Sequence, residues 1–308
     1  MKSNKVVIIG GGRVGMSAAF AMLLKEKVGE IVLYDRDIEK MKGEQLEFEH
    51  SLSFLGSTKI TVASSNNDFE NSDVIVFTAG VAQKPGESRL ELVQKNTEIV
   101  KDILPAAVSQ SPNAVLIMVT NPVDVLTYEA SKILNLPKGR IFGTGTSLDT
   151  SRFRFHLSEI LKINTKNIHA YILGEHGDSS FPVVSNADVG GQQLLSVPGI
   201  NEKIINDCYI KVKEAAQAII QSKGATYYAI AVVVSELVEA VLSDSKRVYP
   251  VSVPLDGQYG LKDVALSVPC VIGRNGVEEI LEIDLSSIEK QNLDKSSEIL
   301  KEFNGKKT

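Results

Sequence analysis

Val6-Val7-Ile8-Ile9-Gly10-Gly11-Gly12-Arg13-Val14-Gly15 lies near the amino end of the chain, and Asp35 closes the next apolar run, Ile31-Val32-Leu33-Tyr34. The β-branched run Val6 to Ile9 reads as a buried strand. Gly10, Gly12 and Gly15 then form the pattern G-x-G-x-x-G, and Met16 to Leu24 has helical composition. Asp35 stands twenty residues beyond Gly15. Each part has a physical task. The glycines permit a tight turn, close approach of a pyrophosphate and packing of helix on strand, and the helix amino terminus favours the phosphate charge. The acid accepts hydrogen bonds from ribose hydroxyls. Glycines alone would be a weak signal; in the order strand, turn, helix, strand, acid they point to a dinucleotide. Asp35 repels a 2′-phosphate, so NAD is preferred to NADP, although Arg36 beside it could partly offset that repulsion.

The alternation continues outward from this unit. Lys59 to Ala63, Val74 to Thr78, Val115 to Val119 and Arg140 to Gly143 read as strands three to six, with helical stretches between most of them. Strands separated by helices predict an α/β fold with a doubly wound parallel sheet, whose ligands sit beyond the carboxyl ends of the strands. We expect a dinucleotide-binding domain over 1–143 and an α+β substrate domain over 144–308. In the second half, Asn201 to Ser222 and Thr226 to Leu242 read as helices. Tyr249 to Pro254, Asp263 to Val271 and Glu279 to Asp284 read as strands, Gly273-Arg274-Asn275-Gly276 as a turn, and Ser286 to Phe303 as a closing helix.

Several strand ends carry polar groups. After strand four, Ala79 to Arg89 forms a loop with glycines towards both ends and a proline inside. It is either a hinged lid or a surface loop with a solvated arginine. After strand five comes Thr120-Asn121-Pro122-Val123-Asp124, where Asn121 either binds a substrate oxygen or caps the next helix. Asp149 and Arg152 are three apart on a predicted helix and share a face, as a substrate-binding pair or as a weak surface ion pair. Arg154 lies about 200° round that helix from Arg152, so it faces elsewhere. The run Ile168 to Leu173 reads as a strand ending at Gly174-Glu175-His176-Gly177-Asp178. Histidine trades a proton near neutral pH, and the flanking glycines allow close approach. An exposed histidine on a tight turn is the plainer alternative.

Four motifs now stand in order: the nucleotide fingerprint, Asn121-Pro122-Val123-Asp124, Asp149-Thr150-Ser151-Arg152 and Gly174-Glu175-His176-Gly177-Asp178. From Val6 to about Phe303 the sequence resembles the lactate/malate dehydrogenase family, and within it the L-lactate dehydrogenases of bacterial type. The resemblance implies NADH-dependent reduction of pyruvate to L-lactate. It implies that His176 is the acid/base, oriented and kept charged by Asp149. Arg152 forks onto the substrate carboxylate, Arg89 arrives on a closing lid to polarise the carbonyl, and Asn121 helps hold that carbonyl near the nicotinamide. Gly10, Gly12, Val14, Gly15, Asp35, Lys40, Gly80, Val81, Val119, Asn121 and Thr144 fall where family members contact the dinucleotide. Gln83 stands where malate enzymes carry arginine, so a second substrate carboxylate would be left buried and unpaired. Thr226 matches a pocket threonine, with a helix cap as the alternative. Arg154 and His169 match the positions where bacterial relatives bind fructose 1,6-bisphosphate between subunits, with an anion site or simple packing as the alternative. A homotetramer or homodimer is implied too. With a first strand beginning at Val6, the chain is expected to lack the amino-terminal arm that vertebrate relatives use in assembly.

Composition limits the rest. At 308 residues the chain can bury a large core and divide in two. A net charge of −5 speaks against nucleic acid as the main partner. The two cysteines, Cys208 and Cys270, fit neither a metal spacing nor a disulfide framework, so a reducing, cytoplasmic setting and no metal are expected. Ala229 to Leu242 is too short to span a bilayer and carries Glu236 and Glu239, so no membrane partner is expected. His50 and His156 read as structural or surface residues. Trp is absent, so intrinsic Trp fluorescence cannot report cofactor binding.

Overall fold

Alternate residues of one strand feed two cores. The computed structural model describes residues 4–82, 86 and 88–305. In β1 (Lys5–Ile9), Val6 and Ile8 enter one apolar cluster while Val7 and Ile9 enter another, and all four are fully buried. A strand buried on both faces needs a continuous apolar run, and helices cover both sides. Those elements are α1 (Arg13–Lys25), β2 (Glu30–Tyr34), α2 (Ile38–Ser51), β3 (Lys59–Val62), β4 (Val74–Phe77), α3 (Arg89–Gln110), β5 (Val115–Met118), α4 (Val123–Ile133) and β6 (Ile141–Gly143). The strands pair in parallel in the order β3-β2-β1-β4-β5-β6. The order reverses between β1 and β4, which opens the crevice where such sheets bind ligands.

The second half contains α5 (Ser147–Leu161), β7 (Ile168–Leu173), β8 (Phe181–Val189), β9 (Gln192–Gln193), α6 (Glu202–Lys223), α7 (Tyr228–Leu242), β10 (Arg247–Asp256), β11 (Lys262–Gly273), β12 (Gly276–Ile280) and α8 (Ser287–Gly305). β10 joins β6 antiparallel at Ser252 and Gly143, and β11 and β12 extend the sheet to nine strands. One sheet therefore runs across residue 143, and a separate three-stranded sheet, β7-β8-β9, carries its own apolar cluster with α5 and α6.

The observed strands and helices agree with the sequence expectations except at β8, the two-residue β9 and β12. β8 was not expected, because Pro182, Ser185, Asn186 and Asp188 break its apolar pattern; pairing with β7 makes it a strand. The strand expected over Glu279 to Asp284 instead occupies Gly276–Ile280. Leu281 N–H still donates to Pro269 O at 2.9 Å, but Pro269 has no N–H to return, so the ladder ends there.

The join between the halves depends on Gly139. Its φ is +83°, and a Cβ would lie 2.0 Å from Val277 O. We expect Gly139→Ala to cost about 2–4 kcal/mol, from strain plus displacement of β12. A thermal or denaturant midpoint equal to that of the unmodified chain would refute this packing role.

Candidate active site

The carboxyl ends of the parallel strands carry the glycine turn, Asp35, Gly80, Val81, Val119, Asn121 and Thr144. At the amino-terminal end of α1, Gly10 has φ +115°, and a Cβ there would meet Thr78 Oγ1 and Ala79 N at 2.6 Å. A Cβ on Gly15 would lie 2.0 Å from Gly10 O, so helix and strand touch through their backbones. Gly12, in contrast, faces open space, with nothing within 4 Å of where its Cβ would be. That space, beside a helix with no acid in its first turn, fits a pyrophosphate. Asp35 ends β2 with Oδ2 accepting Gly11 N–H at 2.7 Å and Oδ1 accepting Asp37 N–H at 3.1 Å. Lys40 Nζ donates to Gly11 O at 2.6 Å, so it braces this loop. Val14 is half-buried below it, while Gly80 and Val81 are exposed on the loop after β4. Val119 and Thr144 are buried after β5 and β6, Thr144 N–H donating to Met118 O. These residues fit a dinucleotide laid across the switch point.

A charged triad is built from α5 and the loop after β7. Asp149, in the first turn of α5, accepts from His176 Nδ1 at 2.7 Å and from Arg152 Nη1 at 3.1 Å. The Asp149 and Arg152 side chains are only 12% and 13% exposed, which sets this pair apart from a solvated surface bridge. Hydroxyls hang α5 in place: Thr146 Oγ1 donates to Ile172 O at 2.5 Å, Ser147 Oγ to Pro250 O at 2.8 Å, and Thr150 Oγ1 accepts Ile172 N–H at 2.9 Å. The histidine loop is anchored as firmly. Gly174 and Ser267 exchange backbone hydrogen bonds at 3.0 and 2.9 Å, and Ser296 Oγ of α8 donates to Ser179 O at 2.7 Å.

Burial pulls the His176 imidazole down, but the charge and hydrogen bond of Asp149 outweigh it. Asp124 adds to the rise and Arg152 opposes it, so the pKa stands at about 8. Asp149 is raised by burial and lowered more by His176 and Arg152, so its carboxylate stays below the usual range. Spacing alone offers no special role for Asp124, an acid in a helical first turn. The fold buries it behind His176, whose backbone N–H donates to Asp124 Oδ2 at 2.7 Å. Burial pushes this carboxyl up to about 6, against the neighbouring Ser252 hydroxyl and the His176 charge. Ser252 lies beside it without closing a well-directed hydrogen bond, since Asp124 Oδ1 and Ser252 Oγ are both buried without partners.

The remaining expected residues fall as follows. Asn121 is exposed at the crevice, and its Oδ1 accepts Val123 N–H at 3.3 Å, so it partly caps α4. Thr226 is half-buried just before α7 and does not cap it; Tyr227 holds the cap position. Arg89 opens α3, its side chain lying outside the description, and Gln83 lies outside the described residues. Arg154 points away from the triad, as its helix angle requires. Its Nε donates to Ala170 O at 2.9 Å and its guanidinium sits 5.2 Å from the Tyr171 ring centre. His169 is exposed on β7, and His50 on α2. Among the described residues, no group of three metal-ligating side chains occurs, and no helix is long and apolar enough to cross a membrane.

Similarity to known proteins extends over nearly the whole chain. Residues 4–143 match the lactate/malate dehydrogenase NAD binding domain, and residues 146–307 match the alpha/beta C-terminal domain of the same family. L-lactate dehydrogenase 1 of Clostridium acetobutylicum is 44% identical over 306 residues, covering 98% of this chain and 97% of that one. L-lactate dehydrogenase 1 of Enterococcus faecalis is 41% identical, covering 97% and 92%. A lactate dehydrogenase from a Medee basin deep-sea metagenome library superposes with a TM-score of 0.94 at 39% identity, covering 98% of both chains. With both domains of that family matched in order along the chain and relatives 41–44% identical over nearly its whole length, the chain belongs to the lactate/malate dehydrogenase family.

Proposed function

We propose that this protein is an NAD-dependent L-lactate dehydrogenase that reduces pyruvate to L-lactate, reversibly. The observation that carries the reading is Asp149, whose one carboxylate orients both an imidazole and a guanidinium. The names of the 41–44% identical relatives support it. NADH, when bound, supplies the hydride to the carbonyl carbon. His176, charged at neutral pH, donates its Nε2 proton to the carbonyl oxygen, because Nδ1 is committed to Asp149. Arg152, with one nitrogen on Asp149, presents the rest of its planar fork to the substrate carboxylate. Arg89, from the end of the loop after β4, stabilises the growing oxyanion, Asn121 holds the carbonyl, and Thr226 lines the pocket. Gly10, Gly12, Val14, Gly15, Asp35, Lys40, Gly80, Val81, Val119 and Thr144 cradle the dinucleotide. Gln83 excludes a second carboxylate by leaving it unpaired.

We also propose a division near residue 143 into a cofactor half and a substrate half, a homotetrameric or homodimeric assembly, and a cytoplasmic setting. The two cysteines support that setting, being buried and unpaired. Arg154 and His169 are candidates for a fructose 1,6-bisphosphate site between subunits, although Arg154 is already engaged by its own subunit. Assays with and without that bisphosphate decide between an anion site and packing.

His176→Asn should keep NADH binding, read from the fluorescence of NADH itself, while turnover falls roughly 10²–10⁴-fold; undiminished turnover sinks the assignment. The pH dependence has a definite sign. His176 is raised from 6.5 to about 8, so pyruvate reduction should hold through neutrality and decline above about pH 8. The ion pair's contribution to stability is likewise complete below pH 6.5 and lost as pH rises through about 8. In Asp124→Asn the amide still accepts the His176 N–H but carries no charge, so the alkaline limb of kcat/KM should move to lower pH. An unmoved limb would show that Asp124 does not act on His176. Finally, Gln83→Arg should shift preference from pyruvate towards oxaloacetate, and an unaltered ratio of catalytic efficiencies would count against the pocket assignment.

A further inference from the structure

Asn96 is completely buried on α3, two turns into the helix, and has no place in any motif quoted above. Its side-chain amide spans the loops that follow β4 and β5. Oδ1 accepts Val81 N–H at 2.8 Å, and Nδ2 donates to Asn121 O at 2.8 Å and to Val81 O at 3.3 Å. The surroundings leave no slack. A Cβ on Gly80 would lie 2.3 Å from Thr120 Cγ2 and 3.1 Å from Asn96 Oδ1, so the loop backbone rests directly on both residues. Thr120 Oγ1 donates to Ala79 O at 2.8 Å, a second tie between the same loops. Val81 and Asn121 are nonetheless exposed, in the loops that begin at the ends of β4 and β5. Their backbones are held by the buried Asn96 amide while the two residues themselves stay exposed.

We infer that Asn96 is a positioning residue for hydride transfer: it sets the spacing between the cofactor-contacting residue Val81 and the carbonyl-holding residue Asn121. The inference rests on the proposed dehydrogenase reaction. The chemistry demands a carboxamide. One planar group must supply an acceptor and two donors in a dry site, where any backbone group left unmatched is costly. Aspartate has the same shape but no donor, and it would set a carboxylate oxygen against the Asn121 and Val81 carbonyls. Leucine would satisfy none of the three, and glutamine is one methylene too long for a site this tight.

The test is Asn96→Asp, studied with pyruvate and either NADH or NADH deuterated at the transferred position. The proposal expects kcat/KM for pyruvate to fall about tenfold or more, with the Kd for NADH shifted less than threefold. It also expects the deuterium isotope effect on kcat to rise, because a misplaced carbonyl makes hydride transfer the slow step. Thr120→Val, which removes the hydroxyl's contacts with Ala79 O and Phe77 O and leaves the Asn96 amide in place, should leave that isotope effect unchanged. An isotope effect in Asn96→Asp equal to that of the unmodified chain overturns the proposal, whatever the melting temperature. If Asn96→Asp does not fold, judged by circular dichroism, Asn96→Ser keeps one donor and one acceptor and is held to the same criterion. Absence of pyruvate-dependent NADH oxidation in the unmodified chain would be a failure of the dehydrogenase reading, and is scored separately from this one.

Discussion

A single buried carboxylate does two jobs in this molecule. Asp149 meets His176 at 2.7 Å and Arg152 at 3.1 Å. A charge so poorly hydrated is costly unless it is paired and hydrogen-bonded. Here the pairing compensates on both sides, and in exchange it defines where a proton and a carboxylate can go. The carboxylate stays ionised because two cations face it, and the imidazole stays protonated because the carboxylate does.

Much of the tertiary structure serves to keep that contact short. α5 hangs from β7 and β10 by three hydroxyls, and the histidine loop is stapled to β11 through Gly174 and Ser267. Behind it, Asp124 adds a second buried acid and takes the His176 amide. The continuous sheet across β6 and β10 explains how these parts keep register with the dinucleotide crevice: Gly143 and Ser252 face each other on adjacent strands. Lys25 of α1, bound to Glu236 and Glu239 of α7, ties the helices of the two halves at another point.

Legibility in the sequence followed how local each signal was. The central parallel strands β1, β4 and β5 were readable because they are buried on both faces and so must be almost continuously apolar. β8 was not, since its outward positions carry Ser185, Asn186 and Asp188, and only pairing with β7 makes it a strand. The Asp149–Arg152 relation followed from helical spacing, and so did the divergence of Arg154. Asp124 was given no role, and Asn96 escaped notice, because their partners lie 52 residues away, at His176, and 15 to 25 residues away, at Val81 and Asn121. No periodicity encodes such contacts.

From the amino-acid order alone came the α/β alternation, the glycine turn with its acid, and the roster of chemically active side chains. These depend on neighbours a few residues apart, where backbone geometry and hydrophobic period act directly. Tertiary structure alone decided how deeply Asp149 is buried, which groups shift the proton affinity of His176, and which amide joins the loops at Val81 and Asn121. Those properties arise from desolvation and from contacts across the fold, and the chain acquires them only once distant segments exclude water together.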